Sequence, residues 1–402
     1  MHIRQTGTLS RRKLLTSTAA GLAAASVFTP TRFAIGQTAK MKVGFMLPYS
    51  GTYAIHGNAI SDAFKLRVSE LGGKIAGREL EYVYLDDESA PPKAKDNANR
   101  LIIKDKVDVV IGTVHSGVAE AMATVAREEN TLLICPNAGA AKLTGEICSP
   151  NIFRTSFSNW QPGYACGPVV AKDGKKNVVT MTWNYPAGHE QIGGFKESFT
   201  AAGGTIVKEI LLDFPRVEFQ AYLTEIAALK PDAVFVFFSG AGALKFILDY
   251  AGAGLQNKIP LYATGFLTDG GVLKAAGAAA EGIKSTLHYA ESLDNPVNSK
   301  FKAAFKAATN VDADVFAVQG YDSATLLAIG LEAVKGDLKA GRTLYTTMQN
   351  AVIDSPRGKF TISASHNPVQ DFYIRQVKGG KEVVLGVAVK ALADPAKGCK
   401  MS

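Results

Sequence analysis

From Lys42 onward, short β-rich runs alternate with segments of helical periodicity, and this alternation, read twice along the chain, is what most limits the fold. Runs over 43–47, 80–85, 107–111 and 131–134 are separated by helices whose apolar residues recur at i, i+3 and i+4, among them Ile60, Ala63, Phe64, Val68 and Leu71. Strands separated in this way pair in parallel, with crossover helices covering the sheet. The alternation restarts at Asn177, with strands expected over 178–183, 205–212, 233–238 and 259–263 and helices over 191–202, 219–229 and 243–251. The fold class expected is therefore α/β, with two doubly wound, Rossmann-like lobes. Later helices over 299–308 and 316–334 and closing strands over 359–362, 372–376 and 383–389 complete them. Three crossover segments are expected near 153–159, 286–292 and 355–361. They divide the chain into lobe 1 (37–156 with 289–355) and lobe 2 (157–288 with 356–402). Open α/β sheets carry their ligand loops at the carboxyl ends of the strands, so a cleft between the lobes is the expected site.

Ahead of the lobes, Ser10-Arg11-Arg12-Lys13-Leu14-Leu15 leads into an Ala-rich apolar run that ends at Ala34-Ile35-Gly36. The run is too short and too mild to span a bilayer, and small residues stand where a signal peptidase cuts. Residues 1–36 are therefore read as an export signal cleaved after Gly36. The paired arginines resemble a twin-arginine signal, which directs a folded protein to the periplasm. The segment holds Arg4, Arg11, Arg12, Lys13 and Arg32 and no acidic residue, so its removal takes the formal charge from +8 to +3. The basic balance of the precursor thus says little about partners. No Lys/Arg stripe interleaved with aromatics is present, which leaves a nucleic-acid role without support. Cys135, Cys148, Cys166 and Cys399 include no C-x-x-C pair, which argues against structural zinc. In an oxidising compartment one bridge is expected, Cys148 with Cys399 in preference to Cys148 with Cys166.

Read in order, a series of short segments resembles the leucine/isoleucine/valine-binding protein family of periplasmic solute receptors. They are Val43-Gly44 with Pro48-Tyr49-Ser50-Gly51, Gly57, Leu71-Gly72-Gly73 with Gly77-Arg78, Asp86-Asp87, Val110-Ile111-Gly112, Pro136-Asn137-Ala138, Phe153-Arg154-Thr155, Ala279-Ala280-Glu281-Gly282 and Gly320-Tyr321-Asp322. Each piece alone also fits an ordinary strand-to-helix turn; their order and spacing carry the likeness, from about Met41 to the C-terminal end. The resemblance implies a type I periplasmic binding protein. Such a receptor is a monomer that catalyses nothing and needs no cofactor or metal. Its two lobes close on a small solute and present it to an ABC permease and ATPase complex in the inner membrane.

The family's binding positions carry over with departures. A hydroxyl after the strand ending in Ile-Gly holds the ligand carboxylate in the family, and Ser116 stands there, next to His115. The family's Pro-x-Ala-Thr loop reads Pro136-Asn137-Ala138-Gly139-Ala140 here, so the backbone N–H groups of Gly139, Ala140 and Ala141 are expected to receive the anion. At the ammonium end the family's acidic residue falls in the loop 264–268, where Gly265 stands, and the nearby Asp269 is read as a helix cap. A buried ammonium without a counter-charge is costly, which decides against an amino acid. Two aromatic wall positions read Ala187 and Ala241, implying an enlarged pocket. Tyr53, Tyr185, Phe266 and Tyr289, with Ser239 and Gly240 at the end of a strand, complete the candidates. Together they suggest an aromatic acid of benzoate or phenylpropenoate type. A receptor for branched-chain amino acids or amides is the alternative within the family.

His56, which takes the place of a cleft tyrosine in the family, and His115 are expected to donate hydrogen bonds to a ligand carboxylate or phenol. With His189 and His288 they fall on loops around one cleft. That coincidence leaves another class open, a periplasmic metal-dependent hydrolase, beside a sensory receptor of the same fold. Against the hydrolase, no H-E-x-x-H and no i,i+4 histidine pair is present, and Ser239-Gly240-Ala241-Gly242 is not G-x-S-x-G.

Overall fold

Uninterrupted apolar runs such as Leu132–Cys135 and Ala233–Phe237 are buried along their whole length, as strands are when helices cover both faces of a parallel sheet. A computed structural model describes residues 40–401. The export-signal reading of residues 1–36, with its paired arginines and its cleavage after Gly36, falls outside them. The first lobe opens with β1 (Met41–Leu47), α1 (Ala54–Glu70), β2 (Lys74–Ile75), β3 (Arg78–Asp86), α2 (Pro91–Asn99), β4 (Val109–Ile111), α3 (Ser116–Glu128), β5 (Leu132–Cys135) and β6 (Ile152–Arg154). The chain then runs through α4 (Trp160–Lys172), β7 (Asn177–Trp183), α5 (Pro186–Ala201), β8 (Thr205–Leu212), α6 (Gln220–Leu229), β9 (Ala233–Phe237), α7 (Gly240–Gly252), β10 (Leu261–Thr264), α8 (Val272–Ala276) and β11 (Lys284–Leu287). It closes with α9 (Pro296–Thr309), α10 (Val315–Ala333), α11 (Arg342–Gln349), β12 (Val352–Ile353), β13 (Phe360–Ile362), β14 (Pro368–Lys378) and β15 (Lys381–Leu392).

Two sheets result. The first has the order β2-β3-β1-β4-β5-β6, parallel apart from the short β2–β3 hairpin. The second has the order β12-β13-β14-β11-β10-β9-β7-β8, parallel from β11 to β8 and antiparallel beyond, with β15 beside β14. The chain is thus α/β with two doubly wound lobes. In each sheet the first strand of the series lies between the second and the third, β3-β1-β4 and β8-β7-β9. The winding reverses there, and a crevice opens at the carboxyl ends. The loops at those ends carry Tyr53, Ser116, Tyr185 and Ser239.

Segments near two of the expected crossings lie side by side. Arg357 donates to Thr155 O at 2.5 Å and Ser156 O at 3.1 Å, and its Nε lies 3.4 Å from the buried Asp322 carboxylate on α10. The closing strands expected over 372–376 and 383–389 lengthen into the β14–β15 hairpin. Cys148 and Cys399 are bonded, with Cα atoms 5.6 Å apart, which ties the tail beyond β15 to the loop ahead of β6; Cys135 and Cys166 are free and buried.

Helix α4 is absent from the sequence reading because Pro162, Gly163, Gly167 and Pro168 look like breakers. The glycines serve a contact instead. A Cβ on Gly163 would lie 2.0 Å from Gln191 O and one on Gly167 2.1 Å from Ser198 Oγ, both on α5; a Cβ on Gly194 of α5 would lie 2.3 Å from Trp160 O. The two helices therefore meet backbone to backbone. Gly193, next along α5, has nothing within 4 Å of its Cβ position. This contrast generates a paired prediction: G193A should leave stability unchanged or raise it by up to about 1 kcal/mol, whereas G194A should cost about 1–3 kcal/mol through overpacking. Denaturant unfolding of the two variants reads the difference, and equal stabilities would contradict the packing described.

Candidate functional site

The site gathers where six strands of the two sheets end. A cavity of about 290 Å³ lies there, lined from the first sheet's loops by Tyr53, Val114, Ser116, Asn137 and Gly139, and from the second's by Tyr185, Ala187, Gln191, Phe237, Ser239 and Phe266. Phe157 and Asn159, between β6 and α4, and Phe316 on α10 complete the wall. Larger hollows of about 1990 Å³, between α9 and the start of α1, and about 950 Å³ near Tyr262 and Lys284 share none of these wall residues.

Eight of the residues expected from sequence line this cavity: Tyr53, Ser116, Asn137, Gly139, Tyr185, Ala187, Ser239 and Phe266. The other six do not. Tyr289 turns its hydroxyl to Asn298 Oδ1 at 3.0 Å. Ala138 and Ala140 are held by their backbones, Ala138 N donating to Thr113 O and Ala140 O accepting from Arg154 Nη1. Gly240, at φ +60°, brings its loop against the one after β1; a Cβ there would lie 2.5 Å from Thr52 O. His115 uses its ring as the cap of α3, Nδ1 accepting from Gly117 N at 3.1 Å and Val118 N at 3.4 Å, so its proton sits on Nε2. His56 stacks on Phe316 at 3.6 Å, with Nε2 3.3 Å from Ser239 Oγ.

The histidines do not converge. Burial pushes His56 down to about 3 and His115 down to about 4, so both are neutral at physiological pH. His288 sits 3.1 Å from Gln319 Nε2 and stacks on Phe157, while His189 is exposed in the first turn of α5, bonded to Asn184. Each imidazole has its own partner, which removes the geometric basis of the hydrolase reading. Among the described residues no three of His, Cys, Asp and Glu are grouped to hold a metal ion.

The anion pole is smaller than the sequence implied. Ala141 N donates to both oxygens of Glu190, at 3.1 and 3.0 Å, so it is not free for a ligand. Glu190 also accepts from Asn159 Nδ2 at 2.7 Å, and burial pushes its carboxyl up to about 7. The same Asn159 Nδ2 donates to Ser116 Oγ at 3.1 Å, which leaves the Ser116 proton to point elsewhere. Gly139 has no room for a side chain, since its Cβ would lie 2.4 Å from Asn159 Oδ1. The anion receptor offered is therefore the Ser116 hydroxyl, the N-terminus of the 13-residue α3 and the Gly139 segment. Across the cavity Tyr53 and Tyr185 share a hydrogen bond of 2.9 Å, in which one phenol must keep a proton for another acceptor. Burial raises both phenols, so they stay protonated.

No charged side chain lines the cavity. Asp269, read from sequence as a helix cap, instead pairs with the buried Arg375 at 2.7 Å and accepts from Val315 N of α10 at 3.4 Å. Gly265 cannot carry the family's acid either, because a Cβ there would lie 2.7 Å from Arg375 Cζ. The enlarged pocket inferred from Ala187 and Ala241 is also corrected. Ala241 is exposed, and rings from other elements fill the volume: Phe157 lies 4.8 Å from Phe266, Phe316 6.1 Å from it, and Phe237 6.3 Å from it edge-on. Asn159, Gln191, Phe157, Phe316, Val114 and Phe237 were missed. Phe157 and Asn159 sit in a crossing, Gln191 and Phe316 inside helices and Val114 in the loop after β4, where no short motif marks a wall; the apolar 233–238 strand pointed toward Phe237.

Comparison with known proteins agrees with this geometry. Residues 40–381 match the family model described as periplasmic binding protein. Leu/Ile/Val-binding protein homolog 6 of Brucella melitensis biotype 1 is 30% identical over 343 residues, 84% of this chain and 87% of the relative. Among solved structures, a solute-binding protein of an ABC transporter from R. palustris in complex with benzoate is 55% identical, with 90% of this chain and 99% of that chain covered and a TM-score of 0.87. A second, from Rhodopseudomonas palustris BisB5 in complex with 3,4-dihydroxy benzoic acid, is 33% identical, with 89% and 99% covered and a TM-score of 0.84. The chain therefore belongs to the periplasmic binding protein family, as a solute-binding component of an ABC importer that works in the periplasm.

Proposed function

We propose that this receptor captures a single-ring aromatic carboxylate of benzoate type and delivers it to an ABC permease and ATPase complex without chemical change. The observation that carries the reading is the cavity wall itself: four phenylalanines, two tyrosines and no charged side chain. A flat ring with an anionic edge suits such a wall, the ring against the Phe157, Phe237, Phe266 and Phe316 faces and the carboxylate against Ser116, the Gly139 segment and the start of α3. The benzoate and dihydroxybenzoate held by the two similar structures support the same ligand class.

In this reading residues 37–156 with 289–355 move against 157–288 with 356–402, and a ligand bridging Ser116 with Tyr185 and Ser239 favours the closed form because only closure makes both sets of contacts. The receptor acts as a monomer and reaches the periplasm by its twin-arginine signal. The Leu/Ile/Val-binding relatives raise the amino acid alternative, but an ammonium would meet no carboxylate on this wall.

Two outcomes test the proposal. In a thermal-shift series on the chain from Gln37 onward, benzoate-type acids at about 100 times their dissociation constant should add roughly 2.7 kcal/mol of stability, and S116A should lose most of that shift while melting normally without ligand. A shift with leucine and none with ring acids would sink the reading. Because Asp269 pairs with Arg375 and not with a ligand amine, D269N should cost the ligand-free protein about 1.5–3 kcal/mol, with Glu382 still beside the guanidinium; a variant as stable as the parent that merely bound ligand less well would contradict that role.

A further inference from the structure

We infer that Gln191 reads a hydroxyl on the ligand ring, so that the preferred ligand is a hydroxylated ring acid and not benzoate itself. The inference rests on the aromatic-carboxylate reading above and adds to it the substituent that the cavity selects.

Gln191 lies on α5 one helical turn beyond Ala187; both line the cavity, and Gln191 is 1% exposed. Its Oε1 is buried and has no hydrogen-bond partner. The other polar side chains of the wall have partners within the protein, although Ser116 and one phenol of the Tyr53–Tyr185 pair keep a proton to donate. Asn137 Nδ2 donates to Gln319, Asn159 Nδ2 serves Ser116 and Glu190, Tyr53 and Tyr185 share a bond, and Ser239 Oγ meets His56. An orphaned buried amide oxygen is destabilising unless an occupant completes it.

Helix α5 cannot readily shift to find Gln191 another partner. Its backbone is pressed against α4, where a Cβ on Gly163 would reach within 2.0 Å of Gln191 O itself. In the rotamer described, the unpartnered atom is the oxygen, an acceptor only, so an occupant that satisfies it brings a donor. A carboxylate has none at physiological pH, and an unsubstituted ring has none. A phenolic O–H has one. The Ser116 hydroxyl, at the positive end of the α3 dipole, offers a donor to an acceptor, and Gln191 Oε1 offers an acceptor to a donor. A ring acid with a hydroxyl satisfies both ends. A site that buries such an acceptor rejects the analogue lacking the hydroxyl more strongly than an apolar pocket discriminates by shape.

Calorimetric titration of the parent protein, Q191M and Q191L with benzoate, meta-hydroxybenzoate and para-hydroxybenzoate tests this. Methionine and leucine both remove the acceptor; methionine keeps the length and flexibility of glutamine, and thermal melting confirms that each variant is folded. The parent should prefer one hydroxybenzoate over benzoate by about tenfold or more, and the ratio should fall to near one in both variants. A ratio unchanged by the substitutions, or an equal loss of benzoate and hydroxybenzoate, would place Gln191 away from the hydroxyl and overturn the inference while leaving the aromatic-acid reading intact. A parent protein that takes up none of the three acids overturns both.

Discussion

The buried guanidinium of Arg375 decides what this cleft can hold. It reaches from β14 to the Asp269 carboxylate at 2.7 Å, to Gly265 O at 2.9 Å, to Tyr289 O at 2.9 Å and to the Glu382 carboxylate on β15. A cation sealed in the interior must be neutralised on the spot, and Asp269 does so, with Glu382, whose carboxyl burial pushes up to about 8, bonded beside it. Two consequences reach the site. Asp269 is withdrawn from any ligand, and no side chain can grow from Gly265 toward the cavity without striking the guanidinium. An amine-binding carboxylate is thereby excluded twice at the place where the amino acid receptors keep theirs.

With no fixed charge on its wall, the cavity would hold the proposed anion by dipoles. The start of α3 supplies the field, and the His115 imidazole caps two of its first N–H groups while the Ser116 hydroxyl remains free to donate. Burial keeps the imidazoles and phenols around the site neutral, so recognition depends on hydrogen bonds and aromatic surface. Contacts between the loops of the two sheets complete the enclosure: Tyr53 to Tyr185, His56 to Ser239, and the backbone approach of Gly240 to Thr52 O.

Much of this was legible in the sequence. Strict alternation of strands and helices, repeated twice, gave the doubly wound lobes, and the strand-end loops gave Tyr53, Ser116, Gly139, Tyr185 and Ser239. What escaped was long-range or lacked a local pattern. Arg375 finds Asp269 across 106 residues, a pairing no spacing announces. Tyr289 looked like a wall residue, but Asn298, nine positions on, offered its hydroxyl a buried acceptor. Helix α4 was hidden because its glycines look like breaks until α5 is known to press against them. Gln191 and Phe316 sit inside helices, where a polar or aromatic residue reads as surface or core. His115 read as a ligand donor because a histidine ring is an uncommon helix cap.

The most direct test of the account is small-angle X-ray scattering of the mature chain, alone, with benzoate or a hydroxybenzoate at saturation, and with leucine at the same concentration. Closure around an amine-free ring acid predicts a smaller radius of gyration with the aromatic acids and none of that contraction with leucine. Contraction with leucine, or saturable binding of a ring acid with no contraction, would contradict it.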